Sequence, residues 1–175
     1  AEDLGMIPAS VPAVLDELQI LSLELERMPK AFTPTGWADP LTFPQRSVAT
    51  TSTHDMPSLR GWWQGLDEEE HSRYLREELH IEGPITEEEV YRLILQHHLD
   101  SPAQLVILPL ADWMSCDEHL WLTSAEDEQI NHPEDPNQYW CFRFPCTLSD
   151  IGRLAPEWQG RLVQYIHHAN RTPFA

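Results

Sequence analysis

Three short runs constrain this chain more than anything else in it: Ile20–Leu25 (I-L-S-L-E-L), Ser47–Ser52 (S-V-A-T-T-S) and Leu105–Leu110 (L-V-I-L-P-L). The first and last have the length and apolar content of buried strands, and the second is rich in β-branched and small residues. The stretches that separate them are far too long for hairpins, and strands joined by long crossovers lie parallel. The expectation is an α/β architecture in which Leu21–Leu25, Val48–Ser52 and Leu105–Leu108 run side by side in one sense. Residues 29–46 hold Pro29, Pro34, Pro40 and Pro44, so they continue neither a strand nor a helix and should form a long surface loop.

Helices fill most of the remaining intervals. Ser10 is placed to cap a helix starting at Val11, with Pro12 in its first turn and Val11, Val14, Leu15 and Leu18 on one apolar stripe. A second helical stretch is expected from about Leu59 through the acidic Asp67–Glu70 run to Leu79. Thr86-Glu87-Glu88-Glu89 has the spacing of a capping box, ahead of a helix with Val90, Leu93, Ile94 and His97 on one face. Thr147-Leu148-Ser149-Asp150 should open the last helix, with Ile151, Leu154, Leu162, Val163 and Ile166 buried. Residues 1–175 read as one unit, since no repeat or low-complexity tract divides them.

Charge narrows the partners. A formal net charge of −18 repels phosphate backbones and anionic lipid, so nucleic acid and membranes are poor candidates and a neutral ligand fits better. No apolar run approaches the ~20 residues of a membrane-spanning helix. Cys116, Cys141 and Cys146 are an odd number in no metal-ligand spacing, which suggests reduced thiols, and with the absence of a signal peptide this points to the cytoplasm. His97-His98 and His167-His168 are poor metal pairs, because neighbours on a helix diverge by about 100°. Trp62-Trp63 is expected to pack rather than to stack on a ligand, and no metal or organic cofactor is expected.

Three polar clusters sit where strands give way to loops: Glu2-Asp3, His54-Asp55 and Asp112-Trp113. In α/β barrels such strand ends converge, which places carboxylates to act together. The ordinary alternative is that Glu2-Asp3 caps the turn into the first helix and Asp55 caps the next one.

The strings AEDLGMIPASV, ILSLELERMPK, SVATTSTHDMPSLRGWW and INHPEDPNQYW stand in the order found in glycoside hydrolase family seventy-seven, the 4-alpha-glucanotransferases. The resemblance runs from residue 1 to about 150 and is strongest to the branch of plant cytosolic disproportionating enzymes and their bacterial relatives. It implies the C-terminal portion of a (β/α)8 TIM barrel. By the same resemblance Glu2 falls on the general acid/base, Asp55 on the transition-state stabiliser, His54 on a sugar-binding histidine and Asn131 on an asparagine near the sugar site. Three places depart from the family: Glu26-Arg27-Met28 replaces the aromatic residue that many relatives carry after the strand at Leu23–Leu25, Ala111 stands before Asp112 in place of glutamine, and Cys141 follows Trp140 in place of arginine.

The implied reaction moves an α-1,4-linked glucosyl or maltooligosyl unit between maltooligosaccharides or other α-1,4-glucans, with retention. Such chemistry needs an acid/base carboxyl and a nucleophilic one roughly 5–5.5 Å apart. The resemblance puts the nucleophile on an earlier barrel strand, so with AEDLG at its start the chain reads as a piece of a longer enzyme, inactive by itself and prone to self-association through exposed strand edges. The rival readings are an α-glucan hydrolase and a non-catalytic glucan-binding or interaction module.

Overall fold

A computed structural model describes residues 1–171. The strands are β1 (Ser22–Glu24), β2 (Ser47–Ala49) and β3 (Leu105–Val106), parallel in the order β1-β2-β3, as the long connections require. Leu23 lies opposite Val48, and Val48 opposite Leu105. All three are shorter than expected. The ladder reaches slightly further, through Thr50 N to Glu24 O at 3.1 Å and Ile107 N to Ala49 O at 3.0 Å. Pro109 then stops the third run, because it has no N–H to give, and serves instead as the N-cap of a helix.

The helices are α1 (Val11–Glu17), α2 (Leu59–Gly65), α3 (Glu68–Glu77), α4 (Glu87–Asp100), α5 (Leu110–Met114), α6 (Leu148–Leu154) and α7 (Trp158–His168). The single helix expected over 59–79 is two. Leu66 is extended (ψ 148°) and Asp67 begins anew, its carboxylate accepting from Glu70 N while the Glu70 side chain accepts from Asp67 N. This capping box satisfies donors a continuous helix would have satisfied internally, so the break costs little. The last helix is also split, at Ala155-Pro156, and only Ile151 and Trp158 of its two halves are buried. Leu154 and Val163, expected inside, are exposed. Thr86 forms the capping box that its spacing implies, and Thr147, which opens α6, forms one with Asp150, whereas Ser10 makes no capping bond.

The main core gathers under the sheet connections, with Leu59 and Trp63 of α2, Tyr74 of α3 and Tyr91, Ile94 and Leu95 of α4 all buried. Trp62 packs against the same cluster, so both tryptophans serve packing. By contrast α1 buries no residue: Val14 and Leu18 of its apolar stripe are exposed. An open cleft of about 500 Å³ adjoins it, lined among others by Leu15, Ile20, Asp3, Lys30 and Arg46.

Two ionisable side chains lie inside this core. Glu26 follows β1 and is 2% exposed, with the Tyr74 hydroxyl donating to its Oε1 at 2.5 Å. Its Oε2 has no partner among the described residues and sits 4.0 Å from Nδ1 of His98, itself 1% exposed. Burial pushes the Glu26 carboxyl up to about 8 despite the Tyr74 hydrogen bond. It likewise pulls the His98 imidazole down to about 4, against the opposing effect of Ile94 O at 2.8 Å from Nδ1. Both are therefore neutral in the fold near pH 7.

Candidate active site

The turn that follows β2 carries His54-Asp55, and a buried polar frame fixes its two ends. Asp112, on α5 after β3, is fully buried; its Oδ2 accepts from the hydroxyls of Thr51 and Ser52 at 2.5 Å each, and its Oδ1 from Leu59 N at 2.7 Å. One carboxylate thus ties the residues before the turn to the first residue of α2. From β1's side the Arg27 guanidinium donates to Thr51 O at 2.6 and 3.0 Å and to Pro57 O at 3.1 Å. Glu128 closes a third side by accepting from Ser58 Oγ at 2.6 Å and pairing with Arg60 at 2.6 Å. Arginine suits this work because its planar fork donates in several directions at once.

Within that frame Asp55 is left free for other work. The N-cap of α2 is Ser58, whose Oγ accepts from Gly61 N, so the capping role open to Asp55 in the sequence is filled by another residue. Its side-chain partners are instead a residue far along the chain and its own neighbour. Asn131 Nδ2 donates to Asp55 Oδ1 at 2.6 Å, and His54 Nε2 lies 3.2 Å from the same oxygen. Asn131 N also donates to His54 O at 3.0 Å, which docks the 131–140 loop on the turn. Among the described residues Asp55 Oδ2 has no hydrogen-bond partner. The structure therefore brings together three residues picked out from the sequence: His54, Asp55 and Asn131.

A fourth, Trp140, was not anticipated. It is 65% exposed, its indole N–H donates to Asn131 Oδ1 at 2.9 Å, and its ring centroid lies 4.7 Å from that of His54. Its letters in N-Q-Y-W carry no signal of this role.

Glu2 is not hydrogen-bonded into this cluster. It is exposed in the segment that precedes β1 and, among the described residues, makes no hydrogen bond to His54, Asp55 or Asn131. Its neighbour Asp3 is committed to structure, accepting from Leu23 N at 2.8 Å and pairing with Lys30 Nζ at 2.7 Å. Burial alone would raise the Asp3 carboxyl, but the Lys30 ammonium and the Leu23 N–H outweigh it and hold the group below its ordinary value. Asp3 thus serves β1 rather than the turn into α1. Of the acidic residues at the three strand ends, Asp3 and Asp112 are bound into the fold, while Glu2 and Asp55 are left facing outward.

Comparison with known proteins covers most of the chain. The family model described as 4-alpha-glucanotransferase, of glycoside hydrolase family seventy-seven, matches residues 1–148. The chain is 33% identical over 156 residues to the 4-alpha-glucanotransferase DPE2 of rice (Oryza sativa subsp. japonica), covering 86% of this chain and 16% of that protein. It is 28% identical over 143 residues to the 4-alpha-glucanotransferase of Aquifex aeolicus, covering 82% and 27%. Among solved structures, an amylomaltase from Streptococcus agalactiae in complex with acarbose superposes with a TM-score of 0.74 at 16% identity, over 99% of this chain and 32% of the other. The chain spans a sixth to a third of the length of these proteins.

Proposed function

The chain belongs to the 4-alpha-glucanotransferase family, glycoside hydrolase family seventy-seven, and from that premise we propose that it supplies two of the three catalytic carboxylates of a retaining α-1,4-glucan transferase. Glu2 is the general acid/base and Asp55 the transition-state stabiliser, with His54 and Asn131 beside Asp55 in the donor sugar site. The observation that carries this reading is the state of Asp55. It sits on a turn held at both ends by buried Asp112 and half-buried Arg27, yet it caps no helix, and its Oδ2 has no partner among the described residues.

In this scheme Glu2 protonates the departing glycosidic oxygen, then takes the proton of the acceptor 4-hydroxyl. Asp55 hydrogen-bonds the donor ring hydroxyls and does so most strongly in the oxocarbenium-like transition state, where the stabilisation accelerates the reaction. The nucleophile belongs to a barrel strand outside residues 1–175, in keeping with the greater length of the relatives. The further strands and helices of a (β/α)8 barrel would cover the apolar stripe of α1 and its adjoining cleft, which are otherwise open to water.

An uncharged glucan suits a chain of net charge −18, and the acarbose complex of the superposing amylomaltase is in keeping with an α-glucan ligand. Three free cysteines suit the cytoplasm, and among the described residues no helix is long and apolar enough to cross a membrane. The test is product analysis in the enzyme that contains this chain, given maltotriose with and without added glucose. Longer maltooligosaccharides, with yields that respond to the acceptor, are expected. Glucose and maltose alone, formed at a rate indifferent to acceptor, would mean hydrolysis, and no turnover would mean a binding module.

A further inference from the structure

We propose that Trp140 is a positioning residue: its indole N–H fixes which way the Asn131 carboxamide faces and so delivers an amide N–H, rather than an amide oxygen, to Asp55. The inference rests on the reading of Asp55 as stabiliser and adds a residue to that site.

The two ends of a carboxamide are nearly the same shape but opposite in chemistry, one a double donor and the other an acceptor. At Asn131 both ends are engaged. Trp140 Nε1 lies 2.9 Å from Oδ1, and Asp55 Oδ1 lies 2.6 Å from Nδ2. An indole nitrogen can only donate and an ionised carboxylate can only accept, so only one orientation satisfies both neighbours. A flipped amide would set oxygen against carboxylate and N–H against N–H, two repulsive contacts in place of two hydrogen bonds. Trp140 thereby removes the choice that an isolated Asn131, close to solvent, would retain.

The consequence falls on Asp55. Asn131 and His54 both address its Oδ1, and Oδ2 is left without a partner among the described residues. One oxygen is held by protein while the other is presented outward, the division a carboxylate needs if it is to hydrogen-bond sugar hydroxyls without swinging between protein and substrate. The placement of Trp140 is also hard to explain by packing. It is 65% exposed on a loop, and its ring lies tilted by 51° against the His54 imidazole, at the edge of the cluster and away from any core.

The test is a mutant cycle in the enzyme that contains this chain, read as kcat and KM for maltotriose disproportionation. Trp140→Phe keeps an aromatic ring against His54 and removes only the N–H; it should lower kcat roughly tenfold and change KM by no more than about twofold. Asn131→Ala should lower kcat at least as much, and Trp140→Phe should add nothing in the Asn131→Ala background, because the indole then has no amide to orient. Effects that multiply, or a Trp140→Phe enzyme with unchanged kcat, would overturn the inference. If Trp140→Phe fails to fold, Asn131→Asp tests the same claim without touching the tryptophan. It leaves the indole an acceptor but faces Asp55 with a second carboxylate, so it should be less active than Asn131→Ala, and equal or higher activity would overturn the claim. Asp55→Asn is the control on the underlying reading: if that enzyme keeps full transfer, the assignment of Asp55 fails, whatever Trp140 does.

Discussion

Replacing Glu26 by Gln should remove a pH dependence of stability that the wild-type chain carries above neutrality. The folded carboxyl titrates at about 8 against 4.5 when exposed, so the unfolded state releases its proton first. A folded pKa raised in this way contributes stability that is complete below 4.5 and is lost as pH climbs toward 8. His98 has the opposite sign. Its folded value of about 4 lies below the 6.5 of the exposed ring, so its contribution is present above 6.5 and lost as pH falls toward 4. Between 4.5 and 6.5 the two slopes oppose and cancel, at ~1.4 kcal/mol per pH unit each. From 6.5 to 8 only Glu26 changes, and the loss comes to about 2 kcal/mol. Gln keeps the carbonyl that accepts from Tyr74 and cannot ionise, so the variant lacks this loss over that interval. Surface repulsion in so acidic a chain also varies with pH, but both proteins share it. Urea unfolding followed by tryptophan fluorescence at pH 6.5 and 8 gives the comparison, and a wild-type-minus-variant difference that stays constant would refute the reasoning.

Two further outcomes are expected. Asp112→Ala leaves Leu59 N and the hydroxyls of Thr51 and Ser52 without their buried acceptor, and should cost about 2–4 kcal/mol in chemical denaturation while loosening the His54-Asp55 turn; a loss under 1 kcal/mol would contradict the framing role given to Asp112. Residues 1–175 alone should not lengthen maltotriose and should associate in sedimentation, because Met6, Leu18 and Phe32 are exposed and α1 buries nothing; a monomeric chain that forms longer maltooligosaccharides above the buffer blank would contradict both expectations.

The parallel sheet was legible because chain connectivity dictates it: strands with such long intervals between Leu25, Ser47 and Leu105 have little choice of direction. Helix continuity was less so. Asp67 in an acidic run reads equally as a solvated face or as a cap, and only backbone geometry at Leu66 decides. Pro156 did stand in the sequence, and the amphipathic pattern running through it misled. The burial of Glu26 and His98 was hidden, since a single charged letter beside a strand normally marks the surface. The site divides in the same way. His54-Asp55 is a strand-end feature that residue pattern and family resemblance both single out. Asn131 came from resemblance alone, and Trp140 had no signal, because its partner lies nine residues away along an irregular loop and acts on a carboxylate 76 residues from Asn131.

The central claim is that Asp55, which caps no helix and keeps Oδ2 without a partner among the described residues, stabilises the transition state of glucan transfer. Asp55→Asn in the enzyme that contains this chain tests it most directly, through single-turnover and steady-state rates on maltotriose beside an unfolding curve. Asp55 caps no helix, and asparagine keeps an oxygen that can accept from Asn131 Nδ2, so the variant should unfold like wild type. Its transfer rate should fall by about three orders of magnitude or more, since an interaction strongest in the transition state is weakened there. A variant that folds normally and transfers glucosyl units within about tenfold of the wild-type rate would contradict the account.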